Sequence, residues 1–288
     1  MTWFFLSILS VFVLAGAELM QQHLLNLKNA FNERTSAVLT FLFQAIITIP
    51  FLFLFGLTDQ LFSIFNPSVF PKVILVTFIA AISMVFYLKS FKVKNISISA
   101  IFVSFSAIVS TTLGIIFFSE SVNPMKFVGI VLILIAIISA NLKNPVLEKN
   151  HFYGLLAGLI FGVGYTLDKA IVSDTHPLVY IFWAFMMIAA WGFFLGNKSV
   201  INSIKDKKLI SHKPIVISAI GYFLYNFFTF TAYTYGGEVG RIDAINNSQV
   251  FLIILFEFFI LKHTEGTARK LLSAGLAVAG IFILGTVK

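Results

Sequence analysis

The chain has 288 residues, of which 59% are hydrophobic and only 11% charged, with a mean hydropathy of +0.96. Soluble domains carry about 25% charged residues, so this composition excludes a soluble globular protein and specifies an integral membrane one. The absence of cysteine removes disulfides and thiolate metal sites, and the net charge of +8, which in a soluble chain would suggest nucleic acid, here fits lysines at the cytoplasmic membrane surface.

A bilayer core takes roughly 20 apolar residues as helix. On that criterion ten spans are predicted, at about 3–25, 35–57, 72–91, 96–118, 125–142, 153–172, 177–196, 214–235, 241–261 and 269–286. Continuous apolar runs of helical length, rather than alternating ten-residue strands, exclude a β-barrel. The first run ends without a small-residue cleavage pattern and is expected to be a retained helix. The long connections fall around 58–71 and 197–213.

Span 1 is the first to carry groups that an apolar helix does not need. Glu18 and Gln22 are four residues apart and Gln21 is three from Glu18, so they share a face, which Leu14 and Leu25 extend. A charged group at a helix centre costs about 2.5–3.5 kcal/mol on insertion scales. Two readings stand side by side: the wetted end of a helix, with Asn26 and Lys28 close behind, or a cavity wall with Glu18 as a proton or cation site. In span 6, Gly154, Gly158 and Gly162 recur every four residues and suit close packing. Lys169 falls within about 20° of that face, with Tyr165 one turn before Asp168 and Lys169. Either Asp168 and Lys169 pair or snorkel at the surface, or Lys169 binds a carboxylate or phosphate of a substrate.

Span 8 places Tyr222, Asn226, Thr229 and Tyr233 at helical spacing, and Asn226 requires a partner because an unpaired amide in hydrocarbon costs several kcal/mol. Span 9 carries Asn246, Asn247 and Gln249 near its start and Glu257 near its end, the latter reading as an interfacial group or a partner of Lys262. Ser104, Ser106 and Tyr87 are weaker candidates. Glu120 and Glu265 sit in tight connections beside helix starts and read as structural, as does Pro124 at the start of span 5.

The halves resemble each other. A single offset of 146 residues places Gly16 on Gly162, His23 on Lys169, Tyr87 on Tyr233, Ile96 on Ile242, Phe105 on Phe251 and Gly129 on Gly275. Five helices per repeat is an odd number, so the second copy enters the membrane from the opposite side. This gives two inverted five-helix repeats, 1–145 and 146–288, with a substrate site expected near the midplane between them.

The stretches "FGVGYTLDKAIVSDTHPLVY" (161–180), "INNSQVFLIILFEFFILKHTEGTARKLLSAGLAVAGIFILG" (245–285) and "FFSESVNPMKFVGIVLILIAI" (117–137) resemble the ten-helix transporters of the drug/metabolite transporter superfamily, EamA family. The match rests on Gly162 with Lys169, on Glu265 before Gly275 and Gly280, and on Glu120, Pro124 and Gly129 as the first-half version. His23 stands where that family commonly has a lysine. The resemblance implies cytoplasmic termini. The positive-inside count implies the reverse, with fifteen Lys and Arg in the connections after spans 1, 3, 5, 7 and 9 against five on the opposite face.

No G-x-x-x-x-G-K-[ST] sequence, nucleophile–base motif or metal-ligand spacing is present, so neither an ATPase nor an enzyme is expected, nor any cofactor or metal. The expected protein is an all-α, multi-pass transporter of a bacterial or archaeal plasma membrane, a monomer whose partners are a small-molecule substrate, lipids and protons, with no nucleic acid. It moves a small polar metabolite, an amino acid or related compound, in the direction of export. The two repeats rock around a cavity that Glu18, Gln22, Tyr165, Lys169, Asn226 and Asn246 line, with Glu18 coupling transport to protons. Organic cations of the choline type prefer Glu18 with tyrosines; sugar phosphates need more basic groups than Lys169 alone. A channel or lipid scramblase ranks behind these.

Overall fold

The structure is a computed structural model that describes residues 1–25, 31–92, 99, 102–141, 149–205, 212–253, 255 and 267–286. The described residues are helical and contain no strand. Among the described residues the principal helices are α1 (Thr2–Leu25), α2 (Glu33–Leu54), α3 (Phe70–Ser90), α4 (Ser106–Phe118), α5 (Pro124–Asn141), α6 (Lys149–Val172), α7 (Pro177–Phe194), α8 (His212–Thr234), α9 (Val239–Asn247) and α10 (Thr267–Thr286). Their starts follow local chemistry. The Asn32 side chain accepts from the Thr35 amide ahead of α2, and Pro177 opens α7 behind His176, whose ring accepts from Leu178 N–H. The two long connections hold a 3₁₀ helix, Thr58–Phe65, and a short helix, Asn197–Lys205.

Among the described residues six helices (α1, α2, α3, α6, α7 and α8) are long and apolar enough to cross a membrane, and three shorter apolar helices lie within α4, α5 and α10. The fourth helix of each half is interrupted within the described residues. The expected span 96–118 is interrupted by a turn at 104–105, and the expected span 241–261 stops at Asn247 with a turn at Ser248 before 249–253 resume as helix. Tight i to i+3 bonds bridge both breaks: Ala107 N–H to Ser104 O at 3.1 Å, and Phe251 N–H to Ser248 O at 3.0 Å. Glu257, Lys262 and Glu265 lie outside the described residues.

Packing follows a rule visible in the principal contacts. Helix α1 packs on α8 as α6 packs on α3; α1 meets α9 as α6 meets α4; α2 meets α8 as α7 meets α3. The pairs α2–α7, α4–α9 and α5–α10 join equivalent helices. The pattern is therefore unchanged when each helix is exchanged for its counterpart in the other half. Nearly every major seam joins one half to the other, so the core is built between the halves rather than inside either.

Helix α6 shows how glycine permits this. A Cβ on Gly158 would lie 2.5 Å from the Val103 carbonyl oxygen, and one on Gly162 would lie 2.7 Å from that of Ser106. Helix α6 thus rests directly on the backbone around the first break. The α5–α10 seam is similar, with a Gly280 Cβ position 2.8 Å from the Gly129 carbonyl oxygen.

Candidate functional site

At the centre lies a cavity of about 120 Å³, walled by α1, α2, α3, α6, α7, α8, α9 and Val103. Three carboxyl groups open on it, from Glu18, Asp168 and Asp243. Lysine, arginine and histidine are absent from its described lining.

Each carboxyl is held by neutral donors. Glu18, 3% exposed, accepts the Tyr87 hydroxyl of α3 and the Gln249 amide, whose Nε2 is 3.0 Å from Oε1 and 3.1 Å from Oε2. It lies well inside a regular helix, which overturns the reading of this stretch as a wetted helix end. Asp243 of α9 accepts Ser106 Oγ at 3.0 Å, Ser110 Oγ at 2.8 Å and Asn247 Nδ2 at 2.9 Å, tying α9 to α4 beside both helix breaks. Asp168 of α6 accepts the Tyr180 hydroxyl of α7. Among the described residues no ion pair involves any of the three. Such side chains are rare in a bilayer and mark functional sites by default.

The amides form a second layer. Asn226 Nδ2 donates to Gln44 Oε1 at 3.2 Å and to the Tyr222 carbonyl at 2.7 Å, so the partner required of this half-buried amide comes from α2 and its own helix. Asn246 Nδ2 donates to Thr229 Oγ1 at 3.2 Å, and its Oδ1 accepts from Ser10. Tyr165 and Tyr225 also line the cavity. Among the residues lining the cavity, two buried polar atoms lack a hydrogen-bond partner among the described residues: the Tyr222 hydroxyl, a donor, and Gln249 Oε1, an acceptor. Both residues line the cavity and both are 5% exposed.

Of the residues singled out in the sequence, the structure brings Glu18, Tyr165, Asn226 and Asn246 together on this cavity. Gln22 lies elsewhere, on a recess between α1 and α8 shared with Gly16, Met20, His23, Ile217 and Ile220. The i,i+4 spacing keeps it near the Glu18 face, but Gln21 is the amide that turns inward, accepting Ser218 Oγ at 2.9 Å.

Lys169 is also outside the cavity lining, and it does not pair with Asp168. Its Nζ sits 2.9 Å from Glu120 Oε1. Glu120 is the hub of a buried ion network between the halves. It accepts the Val239 amide at 2.7 Å and Lys126 Nζ at 3.3 Å, while Lys126 also reaches Glu238 at 2.7 Å. Arg241 Nε is 2.9 Å from Glu238. A side chain on Gly114 would collide with the Glu120 carboxylate, its Cβ lying 2.5 Å from Oε2. Glu120 is thus structural, as its place in a tight connection suggested, and it neutralises the one cation expected to meet a substrate.

Sequence reasoning missed Asp243 and Gln44. A carboxylate one turn ahead of Asn246 and Asn247, inside an apolar span, was signal enough for the first. Gln44, one glutamine in "TFLFQAIITIPF", was the corresponding signal for the second. Among the described residues no group of three or more His, Cys, Asp or Glu side chains could hold a metal ion.

A family model described as the EamA-like transporter family matches residues 1–142 and again residues 149–286. No curated protein matches the chain. A solved structure, described only as the crystal structure of a protein, matches with a TM-score of 0.75 over 98% of this chain and 95% of that one, at 13% identity. That likeness concerns the fold alone.

Proposed function

Because the chain belongs to the EamA-like transporter family, a family of multi-pass membrane transporters, we propose that it carries a small organic cation across the membrane by alternating access. The observation that carries this reading is the cavity's charge. Three carboxyls and a ring of tyrosines and phenylalanines face it, and its described lining offers no base. An ammonium group finds a counter-ion and aromatic faces there, the latter worth about 0.5–2 kcal/mol per cation–π contact. A sugar phosphate finds neither a lysine nor an arginine, since Lys169 is held by Glu120. An amino acid is the second reading: its ammonium would sit on Glu18 or Asp168 and its carboxylate would take the Tyr222 hydroxyl, a donor without a partner among the described residues.

In this reading ten helices cross the membrane as two inverted repeats. Glu18, held by neutral donors, binds either a proton or the cation, and exchange of the two couples transport to the proton gradient. The moving units mix the repeats. Helices α1, α8 and α9 pack as one group and α6, α3 and α4 as its counterpart, so rocking of these groups, rather than of residues 1–145 against 146–288, opens the cavity to each side in turn. The breaks at 104–105 and 248 give each group a bend beside the site, and the Glu120 network holds one end of the bundle closed.

The test is a thermal-shift screen of the detergent-solubilised protein with primary amines, quaternary amines, amino acids and sugar phosphates. A ligand of the folded state raises the midpoint with concentration. Amines are expected to do so in the wild type and to lose the effect in Glu18→Gln. Stabilisation by sugar phosphates and not by amines would refute the reading.

A further inference from the structure

The cavity offers two acids at the ends of one aromatic wall. At one end the Tyr87 hydroxyl donates to Glu18. The Tyr87 ring meets Phe161 edge to face with centroids 5.3 Å apart, and Phe161 stacks on Tyr165 at 5.9 Å. Tyr165 precedes Asp168 by one helical turn, which brings the wall to the second acid. Tyr225 lines the same cavity as Glu18 and Asp168. All of these side chains line the cavity.

The three acids are not equally committed. An ionised carboxylate offers about four acceptor sites. Asp243 has donors from Ser106, Ser110 and Asn247 and serves as the tie between α4 and α9. Glu18 has two residues donating to it, and Asp168 has one. Beside Glu18 the Gln249 carbonyl oxygen is buried, lines the cavity and has no partner among the described residues. An acceptor left open next to a carboxylate suits an N–H donor that both can share. A ligand with one cationic centre would satisfy this end and leave Asp168 without a counter-ion, an unfavourable arrangement for a group in low dielectric.

We infer that the preferred substrate is a linear aliphatic diamine, one ammonium on Glu18 and Gln249, the other on Asp168, with its methylene chain along Tyr87, Phe161 and Tyr165. The inference rests on the reading of the cavity as a cation site and specifies which cations it prefers.

The experiment compares butylamine, choline, putrescine and cadaverine as stabilisers of the full-length protein, and as competitors of radiolabelled putrescine uptake into proteoliposomes. The diamines should half-saturate at a roughly tenfold or lower concentration than butylamine, the worth of one added charge-assisted hydrogen bond. In Asp168→Asn, which keeps an oxygen for the Tyr180 hydroxyl, diamine and monoamine should become equivalent. Equal potency of butylamine, choline and putrescine on the wild type would overturn the diamine inference and leave the cation site standing. No response to any amine would overturn both. The wild-type comparison decides the matter even if the variant fails to fold.

Discussion

Replacing Lys126 with methionine tests whether the ion network between the halves is a structural seal. The Lys126 side chain is 0% exposed and its ammonium lies 2.7 Å from Glu238 and 3.3 Å from Glu120, with the Ser121 carbonyl at 3.2 Å. Methionine retains most of the apolar stem and removes the charge, so the change isolates the electrostatic part. Removing one partner of a buried pair costs about 3–5 kcal/mol, because the surviving charge stays buried. Here each carboxylate keeps a second cation, Lys169 for Glu120 and Arg241 for Glu238, both at 2.9 Å. The expected loss therefore falls at the lower end, about 3 kcal/mol. Adding Glu238→Gln to Lys126→Met takes the carboxylate from the buried Arg241 as well and should deepen the loss by about 1 kcal/mol, a coupling typical of side chains in one network. The assay is an equilibrium unfolding titration in mixed micelles, followed by tryptophan fluorescence. A loss below about 1 kcal/mol, the value of an exposed surface pair, would refute the reasoning and make this end of the bundle hydrated.

The other expectations are independent of this one. Uptake driven by an imposed pH gradient should lose its dependence on the gradient in Glu18→Gln; persistence of that dependence in proteoliposomes would remove Glu18 from coupling. Gly158→Ala should lower the thermal midpoint by the equivalent of about 1–3 kcal/mol, since the new methyl meets backbone that cannot turn aside. Gly164→Ala, with nothing within 4 Å of its Cβ position, should leave the midpoint unchanged. Asp243→Asn turns an amide toward hydroxyls that donate to it and should destabilise by about 1–3 kcal/mol, while the surviving protein keeps its preference among amines. Burial pushes the Glu238 carboxyl up, but hydrogen bonds from Lys126 and Ser121 and the charges of Lys126 and Arg241 outweigh it and hold the group below 4.5. Its stabilisation is then complete above about pH 4.5 and lost as pH falls through the lower folded value, so wild-type stability should fall more steeply in acid than that of Glu238→Gln.

The helices were legible because hydropathy is a local property: the expected span 72–91 and the observed Phe70–Ser90 differ by a residue or two. The breaks at 104–105 and Ser248 were not. Neither contains proline or glycine, and both are stabilised by partners distant in sequence, such as the Asp243 carboxylate on Ser106. Lys169 illustrates the same limit. Its place on the glycine face was readable from 3.6-residue geometry, but its neutralisation by Glu120 depends on how α4, α6 and α9 meet. Periodicity also told inward from outward without telling which inward neighbour a group would find, which is why Gln21 rather than Gln22 turned to the core. The repeat was legible through one shared offset, whereas the interleaving of its two copies was not, because an offset carries no information about contacts.

That interleaving bears on how the protein is made. Helix α1 leaves the ribosome long before α8, its principal neighbour, has been translated, and α2 and α3 likewise precede α7 and α6. A nascent chain stopped after α5 therefore holds five helices with few of their native partners, and its Glu18 and Gln44 lack the amides of Gln249 and Asn226 that complete their bonding. The native seams of these early helices can therefore close only after the second half has been inserted, so assembly of the core is a late, post-insertion event for the first half.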